Sequence, residues 1–211
     1  MTRPRSIRGD DIRVALAQEA ARIMFEHGID DYGFAKRKAA ERLGASEYAV
    51  LPKNAEIDAA LAEYQRLYAA ETHEDTLTLQ RQAAVAAMEL LAEFEPRLVG
   101  PVLTGTATPY QAVALHLFCD FPESISMRLM DQRVRYNVGE QRVRMNAERY
   151  LLLPTLEFDV DEIPFEAIVF PRDGIRQAPL SASDGKPARR AALNEVRGLV
   201  AAMEERVTPC A

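Results

Sequence analysis

The hydrophobic period of this chain changes once, at Pro96, and that change limits the folds open to it. Up to Pro96 the apolar residues recur at helical spacing. Ile12, Leu16, Ala20 and Ile23 predict a helix over 10–27, with Asp10 and Asp11 at its positive end and Gly28 placed to end it. A second helix is expected over 34–43, closed by Gly44. Asn54 is expected to cap a third, with Ile57, Leu61, Tyr64 and Tyr68 as one stripe, and a fourth covers 74–93, with Ala84, Met88 and Leu91 facing inward. After Pro96 the pattern becomes strand-like. Two apolar runs, Leu98 to Leu103 and Ala112 to Phe118, flank a small polar loop that begins at Thr104-Gly105-Thr106. Further strands are predicted at 134–144, 149–158 and 163–170, a helix at 122–132, a loop from Pro171 to Lys186 and a last helix over 187–205. Pro154 falls inside one of these strands, which predicts an edge position or a bulge. The expected fold is α+β, with a helical region over 1–96 packed on a mixed-sheet domain over 97–211.

Composition removes several function classes. At 211 residues, 48% hydrophobic and 27% charged, the chain resembles an ordinary soluble protein able to bury a core. No apolar run is long enough for a membrane span or a signal peptide, so a cytoplasmic location and no membrane partner are expected. The two cysteines, Cys119 and Cys210, have neither disulfide-framework nor zinc-ligand spacing. The net charge is -6, and most of the acidic excess lies in residues 1–96. Nucleic-acid binders show the opposite balance, a basic face that neutralises phosphates.

Local motifs narrow the choice further. Ala40-Glu-Arg-Leu-Gly44-Ala-Ser46 has the spacing of a helix-turn-helix, but its recognition helix would run from Ser46 to Leu51 before Pro52 ends it. That segment carries Glu47 and no basic or amide side chain for base edges. Gly100-Pro-Val-Leu-Thr-Gly105-Thr106 approaches a phosphate-binding P-loop, yet Thr106 stands where the lysine that reaches the β- and γ-phosphates is required. A strand that ends in Gly-Thr and is followed by a second strand fits a different chemistry. The glycine lets backbone amides and a hydroxyl face a triphosphate, and alternate carboxylates on the next strand hold Mg²⁺.

Five stretches together carry a resemblance. They are Asp31-Tyr-Gly-Phe-Ala-Lys-Arg-Lys-Ala-Ala-Glu-Arg-Leu-Gly44, Leu51-Pro-Lys-Asn54, Leu103-Thr-Gly-Thr-Ala107, Leu115-His-Leu-Phe118 and Phe165-Glu-Ala-Ile-Val-Phe-Pro171. On these the chain resembles a family of short bacterial proteins with a helical N-terminal region and a nucleotidyltransferase-like domain. The resemblance implies a phosphate site at Gly105 and Thr106 and a metal-binding Asp-x-Asp on the following strand. At that place the sequence reads Gln111-Ala112-Val113-Ala114, so both metal-binding carboxylates are replaced by methyl groups. His116 is the polar group left on that face of the strand, and Glu166 matches the third carboxylate; these two are the candidate catalytic residues. A single imidazole does not replace two carboxylates for a hard cation, so no metal site is expected. Arg189 and Arg190, with Lys186, would open the last helix, where cations oppose the dipole unless an anion is near; they are candidate phosphate contacts.

Three functional readings follow. The first is a divergent nucleotidyltransferase-like protein without metal-dependent transfer, acting as a nucleotide-binding or protein-interaction module, with a protein partner or a homo-oligomer implied. The second is an active enzyme that uses Mg²⁺ to move a nucleoside monophosphate onto a small molecule or protein. The third is a helix-turn-helix DNA binder.

Overall fold

The structure is a computed structural model and describes residues 9–29, 31–45, 50–68, 70–182 and 184–207. Ser46 to Ala49 of the expected recognition segment, and Cys210, lie outside these residues. The described chain is α+β, with seven α-helices and one five-stranded mixed sheet. It forms two compact units that divide at Glu71 and Thr72, the short piece Ala182–Asp184 belonging with the first.

The first unit is built on α1 (Gly9–His27), α2 (Tyr32–Leu43) and α3 (Asn54–Tyr68). Leu16, Ala20 and Ile23 of α1, Ala35 and Ala39 of α2, and Ile57 and Leu61 of α3 form a separate apolar core. Local chemistry explains both ends of α2 and the start of α3. Asp31 caps α2 by accepting the Phe34 N–H at 3.0 Å, and Gly44, left-handed at φ 58°, ends it through a bond to Ala40 O. Asn54 does not cap α3 as expected: it is the first residue of the helix, and its side chain accepts Lys36 Nζ at 2.6 Å. Glu56 instead reaches back to the Lys53 N–H at 2.7 Å.

The second unit carries the sheet. Its elements are α4 (Ala70–Leu90), β1 (Arg97–Val99), α5 (Gly100–Thr104), β2 (Val113–Phe118), α6 (Glu123–Asp131), β3 (Tyr136–Arg144), β4 (Tyr150–Val160), β5 (Ile163–Phe170) and α7 (Leu193–Val207). The strand order is β1-β2-β5-β4-β3; β2 and β5 are parallel and all other neighbours antiparallel. One face is covered by helices, where Val113, Leu115 and Leu117 of β2 and Phe165, Ala167 and Val169 of β5 pack with residues of α4, α5, α6 and α7. On the other face Phe118, Phe170, Leu153, Val143 and Met145 form a smaller core at one end.

Three expectations need correction. The run Leu98 to Leu103 is not one strand: pairing stops at Val99, Gly100 takes φ 72°, and Pro101 starts a short helix, the position where a fixed φ suits the first turn. Strand β4 is not at an edge, since β3 and β5 flank it, and Pro154 lies within it. The proline is tolerated because the β4–β5 ladder begins at Thr155, so its missing N–H removes no bond on that side. The last helix begins at Leu193 rather than at 187. Pro187 and Ala191 form isolated bridges to Leu180 and Leu98 instead, so Lys186, Arg189 and Arg190 do not oppose a helix dipole.

Strands β4 and β5 are joined by Asp161 and Glu162, with φ 51° and 64°, a two-residue turn with both residues left-handed and no glycine. Glu162→Gly should therefore stabilise the second unit by about 1 kcal/mol, read as a higher urea midpoint; an unchanged or lower midpoint would contradict the assigned strain.

Candidate functional site

The register of the sheet decides which side chains can meet. Ala114 of β2 lies beside Glu166 of β5, and Glu166 lies opposite Glu157 of β4, which in turn lies opposite Asn137 of β3. These four form one row on the face away from the helices. Below them is a cavity of about 480 Å³ lined in part by Ala112, Arg135, Asn137, Glu157, Asp159 and Glu166. Its size is in the range of small-molecule sites. Formally it carries three negative charges against one positive, so a polyphosphate would meet net repulsion unless a divalent cation entered with it. Among the described residues no group of three His, Cys, Asp or Glu side chains is placed to hold a metal ion.

Glu166 is thus at the cavity, and so is Ala112, a position where the resemblance implies a carboxylate. The other candidate residues lie elsewhere. Gly105 ends α5 at φ 86°, and both its N–H and that of Thr106 are bonded to Pro101 O, at 2.8 and 3.0 Å. Those amides are consumed inside the turn. What faces outward is the carbonyl end of α5, which carries partial negative charge and is already met by cationic or N–H donors. Arg81 is buried and donates to Val102 O at 3.1 Å and Leu103 O at 3.4 Å, and His73 Nε2 lies 3.0 Å from Gly105 O. The arrangement does not favour a phosphate. The glycine that follows the first strand is Gly100, whose added Cβ would stand 3.6 Å from Ala114 Cβ, and Pro101 comes directly after it.

His116 and Arg190 bind each other. His116 is buried on the open face of β2, and its Nδ1 accepts the Arg190 Nε–H at 2.9 Å. Arg190 lies over the rings of Phe118 and Phe170, 4.9 Å from each centroid, and its Nη1 donates to Gly174 O, Ile175 O and Gln177 O. The pair fastens the segment around the 3₁₀ turn Arg172–Arg176 onto the small core. Burial, and then the Arg190 charge, push the His116 pKa down to about 3, while burial and Arg97 lower that of Arg190 to about 10. The imidazole is therefore a neutral acceptor, held in one tautomer by a permanent cation. Arg189 is exposed and paired with Glu195 at 2.6 Å. Cys119 packs against the helix-side core, away from the face that carries His116.

No family model, curated protein or solved structure matches this chain.

Sequence reasoning missed Glu157, Asp159, Arg135 and Asn137. The alternation Leu156-Glu-Phe-Asp-Val160 puts both carboxylates on one face of a strand, a signal present in the sequence. Their meeting with Glu166 depends on the β4–β5 register, which alternation alone does not supply.

The depressed His116 pKa sets a pH dependence. Between about 6.5 and about 3 the unfolded imidazole binds a proton that the folded one does not, so this group lowers stability progressively as pH falls through that window. His116→Gln keeps an acceptor for Arg190 and should flatten that part of the profile of urea midpoint against pH. An equally steep profile would place the pH sensitivity in other groups.

Proposed function

We propose that the chain is a divergent nucleotidyltransferase-like protein that has lost metal-dependent transfer and acts by binding. The observation that carries this reading is the row Ala114, Glu166 and Glu157 beside a cavity that also includes Ala112. The reading is supported by Glu166, the residue matched to the third carboxylate, lying beside Ala114 on the neighbouring strand, where methyl groups stand at both matched positions. In the two-metal chemistry of such enzymes, paired carboxylates hold the ions that stabilise the attacking and leaving oxygens. Without them a glutamate beside a small apolar side chain has no means of fixing Mg²⁺ in octahedral geometry.

The loss extends to the phosphate side. Pro101 offers no N–H and no hydroxyl next to the strand-end glycine, and the amides of Gly105 and Thr106 are already bonded. The acidic lining of the cavity also opposes a free triphosphate. Within this reading the protein serves as an interaction module rather than a nucleotide carrier.

Titration with ATP, CTP, GTP and UTP, with and without Mg²⁺, separates this from the active-enzyme reading. We expect no Mg²⁺-dependent binding and no pyrophosphate release; a strong Mg²⁺ requirement together with pyrophosphate would defeat it. The double substitution Ala112→Asp with Ala114→Asp should raise Mn²⁺ affinity at least about tenfold, equivalent to ~1.4 kcal/mol, by setting carboxylates beside Glu166. A folded double variant with unchanged Mn²⁺ affinity would show that these positions do not face a metal site.

A further inference from the structure

The outer edge of β3 is a surface that the reading of the cavity does not use. Six consecutive residues of this strand, Asn137 to Arg142, are exposed, and among the described residues no other strand lies beyond it. Val138 is 67% exposed, and Leu152 of the adjoining β4 is 64% exposed. A long edge strand presents unpaired N–H and C=O groups and commonly carries proline, lysine or a bulge to block pairing. Strand β3 contains neither proline nor lysine.

The direction of the free groups follows from two bonds. The Met145 N–H turns toward the hairpin and bonds Arg149 O at 2.9 Å, whereas Arg144 O turns outward and accepts the Leu180 N–H at 2.8 Å. Antiparallel alternation then directs the backbone groups of Tyr136, Val138, Glu140 and Arg142 outward. Leu180 closes the edge at Arg144. At the other end the chain enters the strand after Arg133, which is left-handed at φ 59°. The open edge therefore runs over 136–142, and its midpoint is Gly139.

We propose that this edge pairs antiparallel with the same edge of a second copy of this chain, with Gly139 of both copies on the two-fold axis. In that register Val138 of each copy lies opposite Glu140 of the other, exchanging the outward N–H and C=O groups. Tyr136 faces Arg142, a ring and a cation, and Asn137 faces Gln141, two amides. No like charges stand directly opposite. Charge and space disfavour the registers centred beyond Gly139, and those centred on Asn137 or Val138 leave Arg142 without a partner inside the open edge. Centring on Glu140 or on Arg142 opposes two like charges, and centring on Gln141 brings Val138 of the second copy opposite Arg144, where Leu180 already sits. The chosen register covers Val138 and places Gln141 of the second copy beside Asn137, on the face that holds the cavity. The contact is isologous, as closed dimers require.

Sedimentation equilibrium tests the proposal. The protein should self-associate to a dimer, and Val138→Pro should weaken that association at least about tenfold, because it removes an outward N–H while leaving the ladder to β4 intact. Cross-linking gives an answer that does not depend on how Val138→Pro folds. With Cys119 and Cys210 both replaced by serine, chains carrying Asn137→Cys mixed with chains carrying Gln141→Cys should form a disulfide-linked heterodimer, and neither should link to itself. A protein that stays monomeric over the concentration range, or cross-linking as efficient within each single variant as between them, overturns the proposal.

Discussion

The parallel pairing of β2 with β5 is the constraint on which the second unit depends. Val113–Phe118 and Phe165–Phe170 run side by side in the middle of the sheet, with the helices packed on one face and the small aromatic core on part of the other. Parallel neighbours cannot be joined by a hairpin, so the intervening chain must cross over and return. Here it does so through α6 and the β3–β4 hairpin, which then lies against β5. The same pairing that fills the core also sets Ala114 beside Glu166. A slip of one residue would turn Glu166 into the helix-side core and bring Phe165 or Ala167 to the cavity, so apolar burial fixes the polar row.

From this register comes the division of the open face. At one end Phe118, Phe170, Leu153, Val143 and Met145 are covered by the segment that Arg190 holds in place. At the other end Glu157, Asp159, Glu166, Arg135 and Asn137 help to line a cavity. His116 stands between these regions, and its burial places it with the core. A buried imidazole that accepts from a guanidinium is a structural acceptor, because protonating it would set two cations against each other.

Much of the architecture was legible in the sequence, and the misses share a physical cause. Helix α2 was readable at its C-terminal end, where Gly44 closes it, whereas its start at Tyr32, set by the Asp31 cap, was not read. Strands β3, β4 and β5 were readable from alternation. The strand expected from Leu98 to Leu103 failed because Gly100-Pro101 is a helix-start signal inside an apolar run, and turn chemistry overrode the run. Pro154 was misplaced because its cost depends on where a neighbouring ladder begins, which is a tertiary fact. For the site, Glu166, Ala112 and Ala114 came from the resemblance alone, and the register that sets Ala114 beside Glu166 is a tertiary fact. The pairing of His116 with Arg190 could not be read from the sequence, since only the fold brings the two side chains together.

The central claim is that the cavity beside Ala114 and Glu166 no longer holds a catalytic divalent cation. The most direct measurement is a crystal structure grown with Mn²⁺ and a non-hydrolysable nucleoside triphosphate, with anomalous scattering used to locate the metal. The account predicts no Mn²⁺ peak in the cavity lined by Ala112, Glu157 and Glu166. A peak there, coordinated by Glu166 and by phosphate oxygens, would contradict it.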